Sequence, residues 1–169
     1  MATTDLRIRA THPDDLDAIG DIYAHYVENT VATFELARPD RAEWDRRFDA
    51  VVTAGLPFVS AVLDGEVVGY GYCAPWKARP AYRHTVEDSV YAAPHAVGRG
   101  LGGKLLDALL TGCAAAGVRQ VIAVIVDADA AASAALYRSR GFVEAGRLTA
   151  VGYKHDRWLD TVLFQRSLA

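Results

Sequence analysis

The stretch Thr85–Gly117, TVEDSVYAAPHAVGRGLGGKLLDALLTGCAAAG, decides how the rest of the chain is read. It opens with an alternating, β-branched segment (Thr85, Val86, Ser89, Val90, Tyr91) that predicts a strand. Ala93-Pro94-His95 breaks the pattern, and Gly98-Arg99-Gly100-Leu101-Gly102-Gly103 then leads into a helix. Leu101, Leu105, Leu109 and Ala116 lie on or near one face of that helix, with Leu106, Leu110 and Cys113 beside them, and Gly117 ends it. Strand, glycine turn and helix in that order aim free backbone N–H groups at an anion, and the helix dipole adds to the attraction. A phosphate-bearing ligand is therefore expected here.

Upstream, Leu6–Ala10 alternates as a strand, and Thr11 and Pro13 open a helix whose apolar positions Leu16, Ile19, Ile22, Tyr23, Tyr26 and Val27 run to Asn29. Thr30–Leu36 reads equally as a strand or an extended loop. Asp40 with Glu43 starts a second helix, in which Trp44, Phe48, Val51 and Val52 carry the apolar stripe to Gly55. Phe58–Leu63 and Val67–Cys73 flank Asp64-Gly65, the strongest hairpin signal in the chain. Ala74–Arg83, with two prolines, is a loop.

Downstream, Val118–Val126 holds the apolar run VIAVIV and predicts an interior strand. Ala130–Arg140 is helical and stops at Gly141. Phe142–Gly146, Leu148–Gly152 and Trp158–Arg166 predict three more strands, the last two joined around Tyr153–Arg157. The expected fold class is α/β (α+β): a single mixed, mostly antiparallel sheet flanked by helices, with residues 1–169 forming one domain.

The 169 residues are 51% apolar and 23% charged, ordinary for a globular protein, and a net charge of −3 with scattered Lys and Arg gives no footprint for nucleic acid. Cys73 and Cys113 are too few for a disulfide framework and are expected as buried free thiols in a reducing compartment. The absence of a leader-like or membrane-spanning apolar run makes the cytoplasm the expected location. The five histidines show no metal-ligand spacing, so no metal is expected, and no serine sits in a nucleophile elbow. Trp44, Trp76 and Trp158 read as packing residues.

Gly98, Gly100 and Gly103 fit a dinucleotide-binding G-x-G-x-x-G. Ala93–Val97 nevertheless separates them from the strand end, and a hairpin precedes them, which weighs against a Rossmann unit. A turn needed only for close packing is the other plain reading. Val97-Gly98-Arg99-Gly100-Leu101-Gly102 is closer to the acetyl-CoA loop of the GNAT superfamily of N-acetyltransferases, and Leu136-Tyr137-Arg138-Ser139-Arg140-Gly141-Phe142 resembles the end of that fold's fourth helix. Ile22–Glu28, Pro75–Arg79, Thr85–Glu87, Val90-Tyr91 and Gly152–His155 narrow the likeness to the phosphinothricin and methionine sulfone (sulfoximine) acetyltransferase branch.

The resemblance implies direct attack of an amine on acetyl-CoA in a ternary complex, with no acyl-enzyme. It implies that the amides of Val97, Gly98, Arg99, Gly100, Leu101, Gly102 and Gly103 bind the pyrophosphate. Val90, Tyr91 and Ala92 would pair with the pantetheine arm. Asp129 and Ser133 would add cofactor contacts, although Ala130 stands where the family has Asn, and Val97 replaces its Gln/Arg. Glu87 is implied as general base and Tyr137 as the acid for the thiolate; their plain readings are a solvated strand carboxylate and a core aromatic. Asp88 is expected on the opposite face of the sheet from Glu87. Phe34, Lys77, Arg79, Tyr82 and Thr85 are implied as the binding groups for a small amino-acid amine. A homodimer is implied as well. A different small-amine acceptor, such as a polyamine, and a non-catalytic acyl-CoA-binding module are the competing readings.

Overall fold

The computed structural model describes residues 4–169. A strand β1 (Leu6–Ala10) and a 3-10 turn at Pro13–Asp15 lead into helix α1 (Leu16–Asn29), and helix α2 (Arg41–Thr53) follows. Next come β2 (Phe58–Leu63), β3 (Glu66–Pro75), β4 (Thr85–Ala92), α3 (Leu101–Ala115), β5 (Gln120–Val126), α4 (Ala131–Ser139), β6 (Val143–Lys154) and β7 (Arg157–Ser167). The seven strands form one sheet in the order β1-β2-β3-β4-β5-β7-β6, antiparallel throughout except for β4 against β5. This is the mixed, mostly antiparallel sheet expected from the sequence.

Local signals act where they were expected. Asp64 and Gly65 both take positive φ, 49° and 87°, which matches the twist of the hairpin they close. The Asp40 side chain accepts from the Glu43 N–H at 2.8 Å and caps α2. α1 and α2 cover one face of the sheet through Ile19, Tyr23, Trp44 and Tyr70. α3 crosses the other face, where Leu105 and Leu109 press against β3 at Gly69 and Gly71; a Cβ at Gly71 would lie 3.0 Å from Leu109. Cys73 and Cys113 are buried free thiols in this second layer.

One open alternative is decided and three expectations change. Thr30–Leu36 is loop, with its tyrosine contacts and Lys154 replacing a strand ladder: Thr33 Oγ1 lies 2.7 Å from Tyr23 Oη, and Lys154 Nζ donates to the Thr33 carbonyl at 2.8 Å. Phe142–Gly146 and Leu148–Gly152 are one continuous strand, β6. Its register against β7 shifts between Glu144 and Gly146 and again between Leu148 and Gly152, and the second shift is absorbed at Ala150 (φ 51°), whose N–H donates to Asp160 at 2.7 Å. Tyr153 and Lys154 consequently belong to the strand, and His155-Asp156 makes the turn. Val52 faces solvent at 53% exposure and Trp158, whose ring lies 4.9 Å from that of Tyr153, at 70%, so neither packs in the core.

α3 passes so close to the loop before β2 that a Cβ at Gly112 would stand 2.8 Å from the Pro57 ring. Gly112→Ala is expected to destabilise the protein by about 1–3 kcal/mol despite the better helix propensity of alanine. Urea unfolding followed by circular dichroism measures it.

Candidate active site

β4 and β5 share a parallel ladder only over Thr85–Glu87 against Gln120–Ile122. Beyond that point they diverge, and the β5-side edge of β4 has no strand partner from Asp88 to Ala92. A cavity of about 480 Å³ occupies the divergence. Its walls are Glu87 to Ala92, Val124 to Val126, Asp129, Ser133 and Tyr137, closed by Tyr23, Tyr26, Thr33 and Phe34. This explains why β5 is interior in the sheet yet leaves Val124 36% exposed.

A second cavity, of about 320 Å³, lies against the glycine turn and is lined by Val97, Gly98, Gly100 and Leu101 to Gly103, with Ala132 and Leu136 opposite. Gly98 and Gly100 take φ of 87° and 73°, and a Cβ at either would meet nothing within 4 Å. Glycine is required there by backbone conformation, and it leaves the approach to the main chain open. Gly100 starts α3 without a side-chain cap, so the first N–H groups of a fifteen-residue helix remain available to an anion. A pyrophosphate fits this cradle. Val90, Ala92, Ser133 and Tyr137 line both cavities, so the two meet at Tyr137.

Glu87 and Asp88 point to opposite faces of β4, as alternation requires, and each lines the first cavity. Burial raises the pKa of Glu87, with the charge of Lys77 opposing the rise. Asp88 is only 5% exposed, and the Tyr137 hydroxyl donates to its Oδ2 at 2.6 Å. Burial pushes Asp88 up to about 7 and lifts the Tyr137 phenol well above its usual value.

Of the residues singled out in the sequence, Phe34, Glu87, Val90, Tyr91, Ala92, Asp129, Ser133 and Tyr137 converge on the first cavity. Val97, Gly98 and Gly100 to Gly103 converge on the second. Arg99 is exposed and lines neither. Lys77, Arg79, Tyr82 and Thr85 also stay off the cavity walls: Lys77 Nζ sits 5.0 Å from the Trp76 ring, and Tyr82 is 41% exposed. Asp88, Tyr23, Tyr26, Thr33 and Thr161 line the cavity without having been read as site residues; only the alternation along β4 signalled where Asp88 would point. Among the described residues, no three His, Cys, Asp or Glu side chains gather as a metal site would need.

A strand edge opened beside a glycine turn, with a carboxylate and a tyrosine at the junction, matches a known design. Residues 19–142 match the Acetyltransferase (GNAT) family, and the chain belongs to that family. It is 47% identical to a phosphinothricin N-acetyltransferase of Alcaligenes faecalis over 95% of this chain and 82% of that protein. It is 38% identical to an L-methionine sulfoximine/L-methionine sulfone acetyltransferase of Pseudomonas paraeruginosa, over 95% of this chain and 94% of that protein. A crystal structure of a phosphinothricin acetyltransferase from Sinorhizobium meliloti in complex with AcCoA superimposes with a TM-score of 0.93 at 44% identity, covering 97% of this chain and 89% of that one. The protein is an acetyl-CoA-dependent N-acetyltransferase.

Gly100→Ala forces a Cβ onto a left-handed residue and is expected to cost about 1–2 kcal/mol of stability. It also narrows the approach to the α3 amides, so acetyl-CoA binds more weakly. Thermal unfolding and calorimetric titration with acetyl-CoA measure the two effects.

Proposed function

We propose that the chain moves acetyl from acetyl-CoA to the α-amino group of a small polar amino acid or analogue by direct attack in a ternary complex, residues 1–169 acting as one catalytic unit. The observation that carries this reading is the meeting of the two cavities at Tyr137. One presents helix amides suited to a pyrophosphate, and the other a carboxylate suited to an ammonium group. L-phosphinothricin, methionine sulfone and methionine sulfoximine are the first acceptors to test, because the relatives described above carry those compounds in their names. An enzyme that takes phosphinothricin in this way confers resistance to it. Acetyl-CoA use and two buried free thiols fit the cytoplasm; among the described residues no helix is long and apolar enough to cross a membrane.

The residues divide the work. The amides of Val97 to Gly103 hold the pyrophosphate, while the unpaired edge at Val90, Tyr91 and Ala92 takes the pantetheine arm as an added strand would. Asp129, at a φ of 54°, and Ser133 flank that arm from α4 and the turn before it. Glu87 takes the ammonium proton through a water molecule. An amine is mostly protonated at neutral pH, and a carboxylate whose pKa burial has raised is better matched to the task than a solvated one. Tyr137 gives its proton to the departing thiolate. Phe34 shapes the acceptor end from the cavity wall, and Thr85, off that wall, belongs to the short β4–β5 ladder beneath it. Lys77, whose charge is felt at Glu87, meets the acceptor carboxylate, and Arg79 and Tyr82 contribute from the rim.

We also propose a homodimer. β6 is one of the two edge strands, and Val143, Leu148, Val151, Tyr153 and Trp158 of the β6–β7 hairpin are 47–70% exposed, an apolar surface that a second copy would cover. Light scattering is expected to give a dimer that Trp158→Glu converts to monomer.

Thiol release from acetyl-CoA against a panel of amino acids, their analogues and polyamines tests the acetyl transfer and identifies the acceptor. Acetyl-CoA binding without amine-dependent release would leave a binding module. Glu87→Gln is expected to lower kcat roughly 100-fold or more while leaving the acetyl-CoA Kd within about twofold. The wild-type rate falls as pH drops through the raised Glu87 pKa, because the base must be ionised; the Gln variant lacks that acid limb.

A further inference from the structure

Asp88 is the buried carboxyl that the roles of Glu87 and Tyr137 leave unused. Its Oδ2 accepts from the Tyr137 hydroxyl at 2.6 Å, and its Oδ1 has no partner among the described residues. The titratable groups around it are Tyr137 from α4, Cys73 opposite it on β3, and Cys113 from α3, whose Sγ lies 3.4 Å from that of Cys73. Glu87 and Tyr91 belong to its own strand, and none of these groups is a cation.

A phenol has one hydrogen to give. With Asp88 ionised, that hydrogen is held by Oδ2. With Asp88 protonated, the carboxyl O–H donates to the Tyr137 oxygen, and the phenolic hydrogen is released toward the cavity. Burial pushes Asp88 up to about 7, the charge of Glu87 adding to the rise and the Tyr137 hydrogen bond opposing it, so both forms are populated near neutrality.

We propose that Asp88 is a positioning residue that turns the Tyr137 hydroxyl toward the leaving sulfur and restores its proton. The inference rests on Tyr137 being the acid for the departing thiolate. In the step itself the Tyr137 O–H bond breaks as an S–H bond forms, and the electron pair stays on the phenolic oxygen. That oxygen takes the Asp88 proton, leaving the pair of the broken carboxyl O–H bond on Asp88, which recovers a proton from solvent as the products leave.

The test compares kcat of the wild type, Asp88→Asn and Tyr137→Phe from pH 6 to pH 9. Asparagine keeps an N–H donor to the Tyr137 oxygen but neither titrates nor passes a proton. The wild-type to Asp88→Asn ratio of kcat is expected to fall from roughly tenfold to one or below as pH rises through the Asp88 pKa, because asparagine still orients the phenol where the ionised carboxylate does not. The amine titrates alike in both proteins and cancels from the ratio, and the same comparison on a Glu87→Gln background removes the coupling between the two carboxyls. Infrared spectra of the ligand-free protein are expected to show a protonated-carboxyl C=O band at pH 6 that fades by pH 9. That band is absent in Asp88→Asn and shifted in Tyr137→Phe, so it also decides the question should Asp88→Asn fold poorly. A ratio that does not change with pH, or a missing band, overturns the role of Asp88. Unchanged turnover in Tyr137→Phe overturns the acid role of Tyr137 itself, whereas lost turnover there with a flat ratio removes Asp88 alone.

Discussion

Parallel strands β4 and β5 hold each other through three residue pairs and then part. Nearly everything at the site follows from that short ladder. Backbone groups inside a protein must find partners, and a strand edge opened in the middle of a sheet is a row of donors and acceptors that must be satisfied. Here the edge faces a cavity in place of another strand, so an extended ligand can complete the sheet. The same parting lets Glu87 and Asp88, on opposite faces of one strand, line a single space. A continuous sheet would have kept them apart.

The two helical layers hold the opening in shape. α3 lies close to the sheet because Gly69 and Gly71 leave room for Leu105 and Leu109, and this fixes where its amino end emerges. α4 brings Tyr137 over β4, packed edge-on against Phe142 with ring centroids 5.0 Å apart. Tyr23, itself part of the cavity wall, meets Trp44 behind it and Tyr91 beside it, at 5.5 and 5.2 Å. The site is thus carried on rigid elements, while the cavity is closed on one side by loop residues Thr33 and Phe34.

What could be read from the sequence was what short-range chemistry determines. Asp64-Gly65, Asp40 with Glu43 and the glycines of the turn act through their immediate neighbours, and each did what its residue types require. The positions of Glu87 and Tyr137 were legible through a family resemblance, not through periodicity. The bond between Asp88 and Tyr137 was not legible, because the two are 49 residues apart and meet only when α4 folds over β4. Alternation indicated the face on which Asp88 lies and was silent on what it finds there. The unbroken course of β6 was hidden for a similar reason: its irregularity at Ala150 is held by Asp160, on the neighbouring strand. The off-wall positions of Lys77, Arg79 and Tyr82 depend on how a proline-bounded loop leaves β3, which no local pattern specifies.

Lys154 reaches 121 residues back along the chain to hold the Thr33 carbonyl, and Phe34 beside it rests where a side chain on Gly152 would collide. One wall of the chamber therefore hangs from the far hairpin of the sheet, while the glycine turn is encoded in the middle of the sequence. Under the proposed division of labour between the two cavities, mutational drift in that hairpin reshapes which amines are admitted without disturbing the grip on the acyl donor. Donor affinity and acceptor taste can evolve on separate parts of the polypeptide.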